Sequence, residues 1–153
     1  MRSKIAKCPI EAMAIFIWIG FVCAISFMEA WLKFRAPNVT LPIGLSIGRV
    51  VFNGLNTVEW VLAAIVIGVF ALRKGIPSFF QLVFLGIPVT ILIIQTFFLF
   101  PILSERVDII LSGQKPSPSY VHFYYLILEV LKVVSLFIFG VFRLISLASD
   151  QHR

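Results

Sequence analysis

Four long apolar runs, at about residues 10–32, 48–72, 77–100 and 120–147, alternate along the chain with short polar or proline- and glycine-containing segments. About 20 apolar residues cross the hydrocarbon of a bilayer as a helix. The pattern therefore predicts an all-α, integral membrane four-helix bundle, with one transmembrane domain over residues 1–153.

The interruptions set the boundaries. Residues 33–48 contain Lys33, Arg35, Pro37, Pro42 and Gly44 and read as a loop, with Gly44 and Gly48 at a loop–helix junction. Asn38-Val39-Thr40 matches the glycosylation sequon. Arg73-Lys74-Gly75 reads as a tight turn, with Pro77 in the first turn of the third helix. Pro101 is expected to kink that helix, leaving ILSERVDIIL as a short amphipathic extension at the interface. GQKPSPS is a loop, and Ser117-Pro118 is the expected start of the fourth helix. The first run follows Arg2, Lys4 and Lys7 like a signal peptide, but it exceeds a 7–15-residue apolar core and lacks a small-residue cleavage site. It reads as a retained span.

Polar residues inside the runs are not scattered. Arg49, Asn53, Asn56 and Glu59 follow helical spacing and share one face. Gln81, Pro88, Gln95 and Ile102 repeat every seven residues, as an inward-facing stripe would. His122, Tyr125, Glu129, Lys132 and Leu136 mark one face of the fourth helix. Such residues are costly in hydrocarbon and are expected to face the bundle interior or a water-filled cavity.

Composition narrows the class. Of 153 residues, 60% are hydrophobic and 13% charged, against about 25% charged in soluble domains. The net charge of +6 is spread over segment ends rather than gathered into a patch, which argues against a nucleic-acid partner and for membrane orientation signals. Four spans put both termini on one side, with Arg2, Lys4, Lys7, Arg73, Lys74, Arg143 and Arg153. Lys33, Arg35, Arg49, Arg106 and Lys115 fall on the other. This bias predicts cytoplasmic N- and C-termini. The lipid bilayer is the implied partner, with a homo-oligomer or a membrane complex as further possibilities.

In this topology Glu29 and Asn53 lie roughly 5–6 Å and Asn56 roughly 10 Å from the non-cytoplasmic helix ends. Glu59, Gln95 and Glu129 lie about 13–15 Å deep and Lys132 about 18 Å. The cytoplasmic half is expected to be nearly free of such groups, which defines a polar pocket open to the other side. Its candidate ligand-binding residues are Glu29, Arg49, Asn53, Asn56, Glu59, Gln95, His122, Glu129 and Lys132. Each also has a structural reading: ion pairing of Glu129 with Lys132, snorkelling of Arg49, or interhelical hydrogen bonds of about 0.6 kcal/mol for the amides. Glu59 must be protonated, hydrated, or paired with Lys132 or Arg49. The tryptophans Trp18, Trp31 and Trp60 read as core or lipid-facing packing. With His122 and His152 the only histidines and no paired ligand spacing on one helix, no metal site is assigned. Walker, H-E-x-x-H and C-x-x-C motifs are absent.

Phe34-Arg35, Arg49-Val50, Asn56, Glu59 and Trp60 locally resemble the membrane-associated eicosanoid and glutathione metabolism family, whose members are also small, basic and four-span. In that family an arginine, an asparagine and a glutamate at this spacing help hold glutathione at a trimer interface. Here Phe52 stands where a second arginine is frequent, and FPILSERVDIIL lacks the tyrosine- and arginine-rich stretch after span three. The chain as a whole also looks like an uncharacterised small membrane protein family. The leading expectation is a non-enzymatic membrane protein binding a proton, cation or small polar ligand, as a carrier or assembly component. A glutathione-dependent membrane transferase, with glutathione as its cofactor, and a structural subunit are the alternatives.

Overall fold

The computed structural model describes residues 9–72 and 77–151, the side chains of 150 and 151 excepted. Four long helices account for most of it: α1 (Ile10–Arg35), α2 (Leu41–Ala71), α3 (Phe79–Leu111) and α4 (Val121–Gln151). No strand occurs among the described residues. All four helices are long and apolar enough to cross a membrane. In ring order α1 packs on α2, α2 on α3, α3 on α4 and α4 back on α1. This is the up-and-down bundle that short connections favour.

The core is a column of Ile15, Trp18 and Val22 from α1, Leu55, Leu62, Ala63 and Val66 from α2, Leu85 and Leu92 from α3, and Leu136 and Phe139 from α4. Buried Gly140 lets α4 approach α1, since a Cβ there would stand 3.0 Å from the Ile15 side chain. The outer surface carries large apolar side chains, including Val50, Val61, Phe97, Phe98, Val134 and Phe137. Glu11, Glu59, Glu129, Lys132 and Arg143 are buried instead. Charges inside and hydrocarbon outside suit a lipid solvent, and the chain is a multi-pass membrane protein.

Several boundaries differ from those expected. α1 runs to Arg35 instead of ending at residue 32, closing with a 3₁₀ turn at Lys33–Arg35. α2 starts at Leu41, so residues 41–48 are helical and only 36–40 connect. Pro42 does not prevent this, because the first helical turn has no use for its missing N–H. Asn38 takes a positive φ of 65° in that connection, a conformation asparagine tolerates. The helix also turns Gly44 and Gly48 into a packing surface: Gly44 lies under the Phe34 ring and Gly48 under the Lys33 ammonium. α3 begins at Phe79, after Pro77, with a capping box in which Ser78 and Gln81 satisfy each other's backbone N–H groups. Gln81 is thus a cap residue rather than part of a buried stripe. α4 begins at Val121, not at Pro118, with Ser119 Oγ accepting from the Val121 N–H.

The third helix does not stop at Pro101 to lay a separate segment on the membrane surface. It continues as one helix to Leu111. A π-helical turn at Gln95–Leu99 lies just before Pro101. Its wide register absorbs the N–H that proline withholds and the crowding of its ring. The extra residue rotates the face: Pro88 and Gln95 are buried, whereas Ile102 is 43% exposed. A second π-helical segment, Cys23–Glu29, lies in α1. The segments at 1–8, 73–76 and 152–153, with Cys8, the Arg73-Lys74-Gly75 turn, His152 and the terminal basic residues, lie outside the described residues.

Candidate functional site

A closed polar cluster sits midway along the bundle, built by one position on each of α1, α2 and α3 and two on α4. Lys132, 0% exposed, is its centre. Its ammonium lies 2.5 Å from Glu59 Oε1, 2.7 Å from Gln95 Oε1 and 3.2 Å from Glu129 Oε1. Three acceptors match its three N–H donors. The Trp18 indole N–H donates to Glu59 Oε1 at 2.8 Å, and the Gln95 amide donates to Glu129 Oε1 at 3.1 Å. Tyr125, one turn from Glu129 and also buried, brings its hydroxyl to the same carboxylate. Glu129 Oε2 makes no well-formed hydrogen bond.

Helical periodicity explains this convergence. Glu59 shares its face of α2 with core Leu55, Leu62 and Val66, while Glu129 and Lys132 share theirs with Tyr125, Leu136 and Phe139. Gln95 is at the first position of the π-turn in α3, and such turns re-aim side chains at functional sites. Trp18 is the one member not assigned to the site by the sequence. The signal was its spacing seven residues after Glu11 on the buried face of α1, together with an indole N–H that needs an acceptor when buried.

Of the candidate residues, the structure brings Glu59, Gln95, Glu129 and Lys132 together and leaves five outside the cluster. Glu29 pairs with Lys33 on its own helix at 3.2 Å. Arg49 pairs with Asp108 of α3 instead of Glu59. Asn56 donates to Thr96 Oγ1 at 2.7 Å, where Trp60 Nε1 also donates. That makes Asn56 a tie between α2 and α3. Asn53 and His122 are exposed. The α2 stripe is one helix face, but its members meet different neighbours.

The half of the bundle nearer the chain termini, expected to be nearly free of such groups, holds buried charges as well. Arg143 Nε donates to Glu11 Oε2 at 3.1 Å, joining α4 to α1 near the terminal end of the bundle, with both side chains buried. Residues 132 apart in sequence carry no spacing signal, and each alone reads as a helix-end charge.

A cavity of about 320 Å³ occupies the opposite end, between the end of α1, the start of α2, the second half of α3 and the start of α4. Lys33, Arg49, Ser104, His122 and Tyr125 are its polar lining, among Phe34, Leu41, Leu45, Phe52 and Leu103. Tyr125 therefore touches both the cavity and the Glu129 carboxylate. The tyrosine ring meets Phe52 edge-on, 5.8 Å between centroids. Among the described residues no group of three or more histidine, cysteine or acidic side chains is arranged to hold a metal ion.

Comparison with protein-family models, curated proteins and solved structures gives no match to this chain. Its site has to be read from its own geometry.

Proposed function

We propose that the chain is a small integral membrane protein that binds a proton or a monovalent cation at the Glu59–Lys132–Glu129–Gln95 cluster, reached from the cavity past Tyr125. Charge arithmetic carries the reading. Two carboxylates share one ammonium, so the ionised cluster holds one formal negative charge in a site 0–1% exposed. An uncompensated charge is severely unfavourable at that depth, and a proton or small cation is the simplest compensation. A carrier or an assembly component would use such a site.

A structural subunit is the second reading, favoured by the way the cluster ties all four helices. Infrared difference spectra of the purified protein, recorded across pH with sodium, potassium or neither, separate the two. The binding reading expects a protonated-carboxyl band or a cation-dependent carboxylate shift, removed by Glu59→Gln or Glu129→Gln. A wild-type spectrum indifferent to pH, sodium and potassium leaves the cluster as scaffolding.

The glutathione-dependent transferase remains the enzymatic alternative, carried by the local resemblance at residues 34–60. It requires glutathione to raise the thermal stability of the protein and Arg49→Gln to cancel that rise. It also calls for a homo-oligomer presenting Arg49, Asn56 and Glu59 to a shared site, whereas Glu59 is engaged within one chain by Trp18 and Lys132.

We assign the termini to the cytoplasm. Arg143 belongs to a buried pair, which leaves Arg2, Lys4, Lys7, Arg73, Lys74 and Arg153 against Lys33, Arg35, Arg49, Arg106 and Lys115. With Cys8 and Cys23 replaced, Asn38→Cys and Ser117→Cys are expected to react with an impermeant thiol reagent on intact cells, and Ser3→Cys is not. The reverse labelling pattern inverts the topology.

A further inference from the structure

We infer that the cavity between Lys33, Arg49 and His122 is a binding site for a single-chain amphiphile with an anionic head. This goes beyond the proton reading, because it rests on the cations and apolar walls of the cavity and not on the buried carboxylates.

The lining has a sharp division of chemistry. The charged side chains that line the cavity are the cations Lys33 and Arg49, joined by the imidazole of His122. Their acidic partners stand behind them: neither Glu29 nor Asp108 lines the cavity. Asp108 engages one terminal nitrogen of Arg49, and Glu29 Oε2 accepts one hydrogen bond from the Lys33 ammonium. The guanidinium has five N–H donors and the ammonium three, so both keep donors for a further oxygen acid. The Lys33 ammonium is fixed by the Phe34 and Phe52 rings, 5.5 and 5.7 Å from their centroids, and by its seat on Gly48. A lysine so constrained is a preorganised anion contact.

Apart from Ser104 and Tyr125, the rest of the wall is apolar. Phe34, Leu41, Leu45, Phe52, Leu103 and Val107 line it, and Leu41 and Phe34 are 58% and 38% exposed at its rim. A volume of about 320 Å³ stands at the small end of ligand cavities, about 300–1,000 Å³. It accommodates a head and the first part of a chain. Depth agrees. α2 and α3 have 31 and 33 residues, about 46 and 50 Å of helix, against hydrocarbon about 30 Å thick. Counted from Asn56 at the middle of α2, Arg49 lies about 10 Å and Leu41 about 22 Å towards this end. The cavity therefore spans the depth, about 15 Å from the centre, at which hydrocarbon gives way to headgroups.

The test uses the full-length protein in a non-ionic detergent, with thermal unfolding as the readout. Decanoate and decyl phosphate are the probes. Decanol, decyltrimethylammonium and inorganic phosphate supply the chain alone, the opposite charge and the head alone. At a hundredfold excess over its Kd, an anionic amphiphile is expected to raise Tm by about 5 °C or more. Arg49→Gln and the cavity-filling Ser104→Phe should each reduce that rise to under half. Equal stabilisation by decanol or by decyltrimethylammonium overturns the proposal, and so does equal stabilisation by phosphate alone. A rise unaffected by Ser104→Phe overturns it too, placing the amphiphile on the outer surface. The carboxyl signals of Glu59 and Glu129 do not enter this readout, so it can fail while the cluster reading survives, and the reverse.

Discussion

Lys132 and Glu59 meet at 2.5 Å between α4 and α2, and neither depends on the other alone. Glu59 also accepts from Trp18, and Lys132 also holds Glu129 and Gln95. The consequence is an asymmetry. Glu59→Gln leaves a neutral Glu129–Lys132 pair and still offers Trp18 an oxygen, so a loss of only about 1 kcal/mol is expected. Lys132→Met leaves two buried carboxylates without their cation, and about 3–5 kcal/mol is expected. Combining the two should recover part of the larger loss. Unfolding in a denaturing detergent measures all four corners of the cycle, and strict additivity would show that the residues are not coupled.

The Glu11–Arg143 pair closes the bundle between its first and last helices at the other end. Arg143→Met is expected to cost about 3–5 kcal/mol, since it removes the cation beside a buried carboxylate. Adding Glu11→Gln should restore part of it. If Arg143→Met unfolds with the wild type, the pair contributes nothing to holding α1 against α4.

The fold was legible because hydrophobic runs of membrane-spanning length have few alternatives, and the inward aim of Glu59, Glu129 and Lys132 followed from helical spacing. Three things were not legible, each for a physical reason. Glycine and proline near residues 42–48 read as loop formers, but in a first helical turn Pro42 costs no hydrogen bond and Gly44 lets Phe34 pack close. The π-turn at Gln95–Leu99 breaks the seven-residue repeat, so Ile102 leaves the face that Pro88 and Gln95 share. Long-range pairings such as Glu11 with Arg143, or Arg49 with Asp108, depend on which helices become neighbours, and spacing within one helix is silent on that.

Gly44 and Gly48 give a separate test of how α1 and α2 fit. A methyl at Gly44 meets the Phe34 ring, which cannot move without opening the cavity wall. Gly44→Ala is expected to destabilise by about 1–3 kcal/mol. Gly54, on the same helix, has open space at its Cβ position. Gly54→Ala should be neutral or slightly stabilising through helix propensity. Thermal unfolding of the two variants side by side checks it: equal behaviour would mean that Phe34 does not pack on Gly44.

Trp18 provides an internal reporter of the cluster. Its indole N–H donates to Glu59 Oε1 at 2.8 Å in a fully buried setting, so its emission depends on the charge of that carboxylate. A hydrogen bond to an ionised acceptor is roughly twice as strong as one to a neutral acceptor. Protonation of the cluster, or a cation drawn into it, should therefore shift the Trp18 spectrum. Trp31→Phe and Trp60→Phe leave Trp18 as the single tryptophan. Trp31 is exposed beneath Arg35, and replacing Trp60 removes only one of two donors to Thr96. In this background the emission should change on titration from acid to alkaline pH, or on adding sodium or potassium. Glu59→Gln, which keeps an oxygen but no charge, should abolish the change. An emission constant under all these conditions would mean that the charge of the cluster is fixed, and its reading as a proton or cation site would fail.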